Sequence, residues 1–245
     1  MVAIQRKVLN VKRTSAPLIA LALVFLCLCV RAAAQSQIRI IRPSHDVVVP
    51  DAILQKFSTA DIQVLAALPS GKALIYDTVP NRDNADDLMD SHPHIALLSR
   101  TGAIVLDVDV ISLAPTGHVG FDGMAVLPIS SNAPLLVCAF TLGVDGSGTF
   151  FVFVGQDSGN YKVVGSLTGA QAQIRFSEKS PHRFELWTAD AQSNRNPDQQ
   201  CVWCPKYYRT RVYEWQNGKL ALISEAKSNR GYDPETFDNT RFLVK

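Results

Sequence analysis

The sequence lacks the short motifs that mark most enzyme sites. It contains no G-x-S-x-G nucleophile elbow, no G-x-x-x-x-G-K-[ST] phosphate loop and no Rossmann glycine pattern. Serine, histidine and aspartate all occur, but no spacing among them selects a catalytic triad. The sequence therefore predicts no catalytic residue and no cofactor, and it favours binding over catalysis.

The chain also lacks an apolar run long enough to be an obvious membrane span. Residues 1–15 carry four basic side chains and no acid, and the uncharged run 16–30 follows before Arg31. A spanning helix needs roughly 20 apolar residues, so a membrane anchor is the weaker alternative. The small residues Ala32–Ala34 complete the pattern of a signal peptide over 1–34. We expect a secreted or periplasmic protein without a stable membrane span after cleavage.

A strong charge bias is missing once this segment is removed. The signal segment holds five of the 24 lysines and arginines and none of the 22 acids, so the chain from Gln35 has a net charge of −3. This balance predicts no nucleic-acid partner. We divide the remainder into an N-terminal segment (35–59), a β-repeat domain (60–227) and a C-terminal tail (228–245).

Long segments with a helical period of 3.6 residues are absent as well. The best helical candidate is the short stretch 50–57, which has proline at its first turn. Elsewhere, apolar runs of four to eight residues alternate with turn-forming clusters, as in β-strands. Hairpin turns recur at Gly102, Gly159 and Gly218, with spacings of 57 and 59 residues.

This near-constant spacing predicts an all-β fold of three consecutive four-stranded antiparallel units. We expect a partial or small β-propeller-like arrangement, with a β-sandwich as the alternative. Short strand candidates at 37–41 and 240–244 could cap an edge. The predicted strands are 61–68, 72–78, 94–99 and 103–111 in the first unit, 123–129, 134–142, 149–155 and 161–167 in the second, and 172–177, 183–188, 207–216 and 219–225 in the third.

Two segments carry a resemblance to a known family. "TFFVFVGQDSGNYKVVGSL" and "RTRVYEWQNGKLALISEA" resemble the strand-turn-strand pieces of FG-GAP/VCBS-type β-propeller repeats, over about residues 60–227. The resemblance implies a propeller built for binding. The calcium loop of the family, D-x-D-x-D-G-x-x-D, is absent; the nearest pieces are Asp145–Gly148 and Asp107–Asp109.

Three cysteines remain after the signal segment. Cys201 and Cys204 form a C-x-x-C pair, but the alternation after Pro205 predicts a strand rather than the helix of a redox site. One pair is also too few for a typical four-ligand zinc site. In an oxidising compartment we expect a disulfide, either 201–204 or one of these with Cys138. Cys138 lies in "PLLVCAF", which predicts a buried core thiol.

Two polar loops hold the remaining candidate residues. Asp90, His92 and His94 are a candidate metal set, because histidines at i and i+2 of an extended segment point the same way; the alternative is a solvated loop. We expect a contact surface on loops 80–93 and 190–206, and its candidate residues are Asp83, Asp86, Asp87, Trp203, Tyr207 and Tyr208. The tyrosines and tryptophans could equally pack inside the sheet.

These observations predict a secreted or periplasmic, non-catalytic binding or interaction protein with a protein or glycan partner. Two alternatives stay open. One is an envelope glycan hydrolase that uses loop carboxylates such as Asp83, Asp86, Asp87 or Asp198, since such pairs meet only in space. The other is a metal-binding protein.

Overall fold

The structure is a computed structural model, and the helices and strands of its described residues lie between Ile38 and Lys245. The predicted signal segment 1–34 is outside the described residues. The described ranges are 37–44, 46–58, 60–78, 92–115, 119–130, 133–143, 148–157, 160–190, 207–228 and 240–245.

The fold consists of three antiparallel meanders that follow one another along the chain. Each predicted four-stranded unit is confirmed as one sheet. Sheet 1 contains β2 (Ala60–Leu68), β3 (Gly71–Thr78), β4 (Pro93–Ser99) and β5 (Ile104–Asp109). Sheet 2 contains β6 (Val119–Leu127), β7 (Leu135–Leu142), β8 (Gly148–Asp157) and β9 (Asn160–Ala170). Sheet 3 contains β10 (Gln173–Phe176), β11 (Arg183–Ala189), β12 (Tyr208–Gln216) and β13 (Lys219–Lys227).

Two short terminal strands extend two of these meanders to five strands. β1 (Arg39–Ile41) pairs antiparallel with β6 of sheet 2, and β14 (Phe242–Val244) pairs parallel with β10 of sheet 3. The expectation that both chain ends cap a sheet edge is therefore confirmed. The all-β prediction is also confirmed, while the described residues form no closed sheet.

β-bulges recur with a period of 59 residues. In the hairpin of the third and fourth strands, the unpaired residue is Val105 in sheet 1, Val164 in sheet 2 and Ile223 in sheet 3. In the first strand, Gln63 of sheet 1 and Asp122 of sheet 2 are unpaired in the same way, again 59 positions apart. Because bulges are specific backbone features rather than noise, this period identifies a structural repeat.

Sheet 2 lies between the other two sheets. One of its faces, with Phe140 and Val152 among others, packs in one cluster with Ile75 and Ile95 of sheet 1. The opposite face, which includes Phe153, packs with sheet 3 in a second cluster. Both faces of sheet 2 are therefore buried, which explains the nearly continuous apolar runs of β7 and β8.

A short helix covers the far face of sheet 1. Helix α1 (Asp51–Leu54) begins after Pro50, which has a φ of −61°. Its Ile53, together with Phe57 just beyond the helix, packs on Leu74 and Leu98. The sequence prediction of a short helix here is confirmed, and its role is to remove the apolar outer face of sheet 1 from water.

The far face of sheet 3 is polar instead. β10 and β11 place Gln173 opposite Trp187 and Arg175 opposite Glu185 on this face, while Ile174 and its neighbours face sheet 2. The guanidinium of Arg175 lies 3.8 Å from the centroid of the Trp187 ring, and Trp187 Nε1 donates to Glu185 Oε2 at 3.0 Å. Sheet 3 therefore ends the stack with a hydrogen-bonded polar layer, as terminal repeats do.

Two contacts fix the relative direction of the three sheets. Arg39, which pairs with Val126 near the end of β6, also donates from Nη2 to the carbonyl of Ala67 near the end of β2 at 2.7 Å. A Cβ atom added to Gly155, near the end of β8, would lie 3.0 Å from Cη2 of Trp215 near the end of β12. The first and third strands of each meander therefore end at the same side of the stack.

The connections between second and third strands consequently leave from the opposite side. We call this side the loop end and define it by the strand boundaries Thr78, His92, Leu142, Asp190 and Tyr207. The other side, which carries the short hairpin turns, is the turn end. The loop end is where the two long polar loops of the sequence begin and finish.

Candidate functional site

The structure describes some of the sequence-predicted site residues. His92, His94, Tyr207, Tyr208 and Cys138 lie within the described residues. The remaining candidates are outside them, so their roles stay predictions; they are Asp83, Asp86, Asp87, Asp90, Asp198, Cys201, Trp203 and Cys204.

His94 belongs to a cluster of polar side chains at the loop end of sheet 1. Its Nδ1 lies 3.2 Å from Asp107 Oδ1. The Tyr76 hydroxyl donates to both oxygens of the same carboxylate, at 3.0 and 2.8 Å. The rings of Tyr76 and His94 stack with centroids 4.7 Å apart. Asp107 therefore orients an imidazole and a phenol together.

The register of sheet 1 produces this cluster. Tyr76 pairs directly with His94 across β3 and β4, and His94 pairs with Asp109 across β4 and β5. Directly paired residues share a face, and residues two positions along a strand share it too. Asp107 therefore lies diagonally beside His94, on the same face.

The electrostatics of the cluster favour a protonated phenol. Burial, followed by the hydrogen bond to Asp107 and the negative charges of Asp107 and Asp109, raises the pKa of Tyr76 well above its usual value of 10.0. The Tyr76 hydroxyl thus remains a donor over the physiological pH range. The half-buried imidazole and the partly exposed carboxylate are then available to solvent or to a ligand.

The metal prediction combined His94 with His92 and Asp90 of the same segment. The backbone N–H of His92 donates to Asp77 Oδ1 at 2.7 Å, and the His92 carbonyl accepts from the Thr78 N–H at 3.1 Å. Within the described ranges, no group of three or more histidine, cysteine or acidic side chains is arranged to hold a metal ion. A set that includes Asp90 stays a prediction.

A second cluster lies at the loop end of sheet 3. The ammonium of Lys227 sits 4.4 Å from the centroid of the Tyr207 ring and 3.7 Å from Asp190 Oδ2. Asp190 is buried and Tyr207 is half-buried. This corner presents an aromatic face and a cation beside the start of the long loop.

The neighbouring Tyr208 has a different environment. Its side chain is completely buried, its ring centroid lies 6.3 Å from that of Trp187, and its N–H donates to Ser228 Oγ at 3.2 Å. Its burial fits the alternative of packing rather than contact with solvent. The pairing of Ala189 with Tyr208 places Tyr208 on the same far face of sheet 3 as Trp187.

Cys138 is a free thiol in the middle of sheet 2. It is completely buried, and burial raises its thiol pKa. The prediction of a buried core thiol is confirmed, and the alternative of a disulfide between Cys138 and Cys201 or Cys204 is wrong, because the thiol of Cys138 is free. The disulfide 201–204 lies outside the described residues and stays a prediction.

Sequence reasoning did not include Tyr76 or Asp107 in the candidate site. The hairpin around Gly102 pairs these two strands, but His94 lies opposite Asp109 only because the bulge at Val105 shifts the register by one residue. Extending the same register to the preceding strand brings in Tyr76. No short motif carries this information, because the three side chains are far apart in the sequence. Tyr76 and Asp107 are 31 positions apart.

The two clusters present different chemical groups at the loop end. The first cluster offers a carboxylate, an imidazole and a phenol, and the second offers an aromatic ring with a cation; neither contains a serine or cysteine nucleophile among its described members. No family model matches the chain, and no curated protein matches its sequence. Among the described residues, no helix has the length and apolar character needed to cross a membrane.

Proposed function

We propose that this chain is a secreted or periplasmic, non-catalytic binding protein that contacts its partner through the loop end. The observation that carries the proposal is the common direction of the three meanders. The boundaries of both long polar segments, at Thr78 and His92 in sheet 1 and at Asp190 and Tyr207 in sheet 3, belong to the same side of the stack. Function concentrates on loops held by a rigid scaffold.

The resemblance to FG-GAP/VCBS-type propeller repeats supports the same proposal. Three four-stranded units with bulges at a period of 59 residues, stacked face to face, are compatible with propeller-like blades. The basic and apolar N-terminus supports export from the cytoplasm. The partner is a protein or a glycan at the cell envelope or outside the cell.

The experiment is crosslinking and affinity capture with the purified chain against native envelope and secreted material. We compare a loop-end variant, His94→Asn combined with Tyr207→Ser, with a turn-end variant, Thr101→Ala combined with Lys219→Ser. We expect a specific partner that the wild type and the turn-end variant capture and that the loop-end variant loses. Circular dichroism verifies that both variants are folded.

Two outcomes would count against the proposal. One is the absence of any specific partner in repeated captures. The other is a partner that the loop-end variant retains and the turn-end variant loses. Treating the captured material with protease or with glycosidases before the experiment identifies the class of partner.

A further inference from the structure

A cleft opens where the two terminal strands approach β6. It has a volume of about 540 Å³ and is bordered by Ile40, Arg42, Asp122, Arg241 and Phe242. Its size lies in the range of small-molecule sites, which is about 300–1,000 Å³. The residues come from β1, β6 and β14 and the positions just beside them, so three separate parts of the chain build it.

Arg241 is held rigidly at the wall of this cleft. Its Nε donates to Asp122 Oδ2 at 2.8 Å, and its Nη2 lies 3.3 Å from Thr141 Oγ1. The Thr141 hydroxyl donates to the same carboxylate oxygen at 2.6 Å. Asp122 is the bulged residue of β6, and bulges commonly re-aim a side chain beside a site. The guanidinium is thus oriented before any ligand arrives.

Arg42 supplies a second guanidinium to the cleft. It is exposed, and it forms no hydrogen bond or ion pair with any described residue. The two arginines and Asp122 together give the cleft a charge of +1. One remaining positive charge matches a carboxylate monoanion better than a doubly charged phosphate.

The other residues that border the cleft are Thr240 and four residues without a polar side chain, Ile40, Pro43, Gly123 and Phe242. Ile40 is an exposed large aliphatic side chain at 37 % of its full accessibility, and the buried Phe242 also borders the cleft. Gly123 lets Phe242 approach β6 closely, because a Cβ atom there would lie 3.2 Å from the Ile41 carbonyl oxygen and 3.6 Å from the Phe242 ring. An apolar body would remove part of this surface from water.

We propose that this cleft binds an organic carboxylate. The carboxylate accepts hydrogen bonds from Arg42 and Arg241, and the apolar part of the ligand packs on Ile40 and Phe242. The proposal goes beyond partner binding at the long loops and does not rest on it, because it concerns a small ligand and a different set of residues.

The test is a titration of the purified chain with benzoate, followed by calorimetry and by amide chemical shifts in NMR. For a probe of this size we expect a dissociation constant on the order of 1 mM. The amides of Gly123 and Phe242 should shift the most. Benzamide, which has the same shape without the charge, should bind at least about tenfold more weakly.

Variants separate this site from a general effect of charge. Arg42→Gln should weaken benzoate binding about tenfold, because it removes one charge-assisted contact. Arg183→Gln removes an equally exposed arginine at the start of β11 and should leave binding unchanged. Arg42 has no hydrogen-bonding or ion-pair partner among the described residues, so its variant tests the site with little expected effect on the described fold.

The proposal is overturned if benzamide binds as tightly as benzoate, if Arg42→Gln binds like the wild type, or if the shifted amides lie away from β1, β6 and β14. It is also overturned if benzoate does not bind at concentrations well above 1 mM. A failure of partner capture, by contrast, would leave this result unaffected.

Discussion

Sheet 2 and sheet 3 have the same meander topology, yet their sequences differ according to their position in the stack. In sheet 2, β7 is buried along almost its whole length, with both faces covered. In sheet 3, β11 alternates between buried and partly exposed residues, because only one face packs on a neighbour. The difference shows that layer position, rather than topology, determines how apolar a strand must be.

The two ends of the stack differ in a related way. Sheet 1 has an apolar far face, and Ile53 and Phe57 cover it. Sheet 3 has a polar far face, on which Arg175 stacks on Trp187. The stack is therefore terminated at one end by an added apolar segment and at the other by polar side chains. Neither solution needs another copy of the repeat.

The exposed strand edges are protected by the repeated bulges. β5 exposes Ile104 and Val105, and β13 exposes Leu222 and Ile223, at positions that correspond across the repeat. Each of these strands carries a bulge at Val105 or Ile223. A bulge interrupts the straight row of backbone donors and acceptors that another strand would need for pairing. The bulges thus allow apolar side chains on an open edge.

The largest loss of stability should come from a substitution in the middle of the stack. Phe153 in β8 is completely buried, and its ring stacks on Phe184 of sheet 3 with centroids 5.4 Å apart. Phe153→Ala should lower the free energy of unfolding by about 3–5 kcal/mol, since it leaves a cavity between two sheets. Urea denaturation at neutral pH measures the change.

Leu222→Ala in the edge strand β13 is the matched control. Leu222 retains 52 % of its accessibility, so its truncation should change the free energy of unfolding by no more than about 0.5 kcal/mol. If Phe153→Ala and Leu222→Ala lowered the free energy of unfolding equally, this would contradict the contrast between the central sheet and the edge of sheet 3.

A smaller effect should come from the covered end of the stack. Phe57 is buried, and its ring centroid lies 4.8 Å from that of Tyr76. Phe57→Ala should lower the free energy of unfolding by about 2–3 kcal/mol, less than in the centre because the site borders solvent and can relax. The variant should also bind a dye that recognises apolar surface.

Val212→Thr on the polar far face of sheet 3 provides the comparison. Val212 pairs with Glu185 on that face and is half-buried, so a hydroxyl there should cost less than about 1 kcal/mol. If Val212→Thr destabilised the chain more than Phe57→Ala, the two ends would not differ in the way described.

The strands themselves were readable from the sequence. Turn glycines such as Gly102 and Gly218 have positive φ values of 79° and 76°, and they fixed the hairpins and hence the four-stranded units. The order of the sheets in space was not readable in the same way. A strand pattern reports which faces are apolar, but it does not say whether neighbouring sheets form a ring, a sandwich or a linear stack.

The candidate site was only half predictable for a similar reason. His94 stood out because of its neighbour His92, but its hydrogen-bonding partner Asp107 lies on another strand and becomes visible only when the register is applied. The arginine cleft was not predictable at all, since it joins Arg42 with Arg241 across almost the whole chain. Short sequence motifs report local spacing, and these sites depend on long-range pairing.

The smallest of the three losses of stability concerns the polar cluster of Tyr76, His94 and Asp107 in sheet 1. Tyr76→Phe removes the hydroxyl that donates to Asp107, and we expect the free energy of unfolding at pH 7 to fall by about 1 kcal/mol. The pKa of Tyr76 is raised in the folded state, so above pH 10 the unfolded chain loses this proton first. The stability of the wild type should therefore fall as the pH rises beyond that value.

Tyr76→Phe should make this alkaline fall shallower, and Asp107→Asn should do the same because it removes the charge and weakens the hydrogen bond that hold the proton on Tyr76. Urea denaturation at pH 7, 9 and 10.5 distinguishes the three proteins. Tyr161→Phe, at the turn end of sheet 2, removes a partly buried tyrosine whose pKa is also raised, and it calibrates how much one phenol contributes. The prediction would be contradicted if stability fell at alkaline pH as steeply in Tyr76→Phe as in the wild type, but less steeply in Tyr161→Phe. The pKa of Tyr76 would then be the same in the folded and the unfolded chain. The far face of sheet 1 would then be open at its loop end rather than covered like its centre.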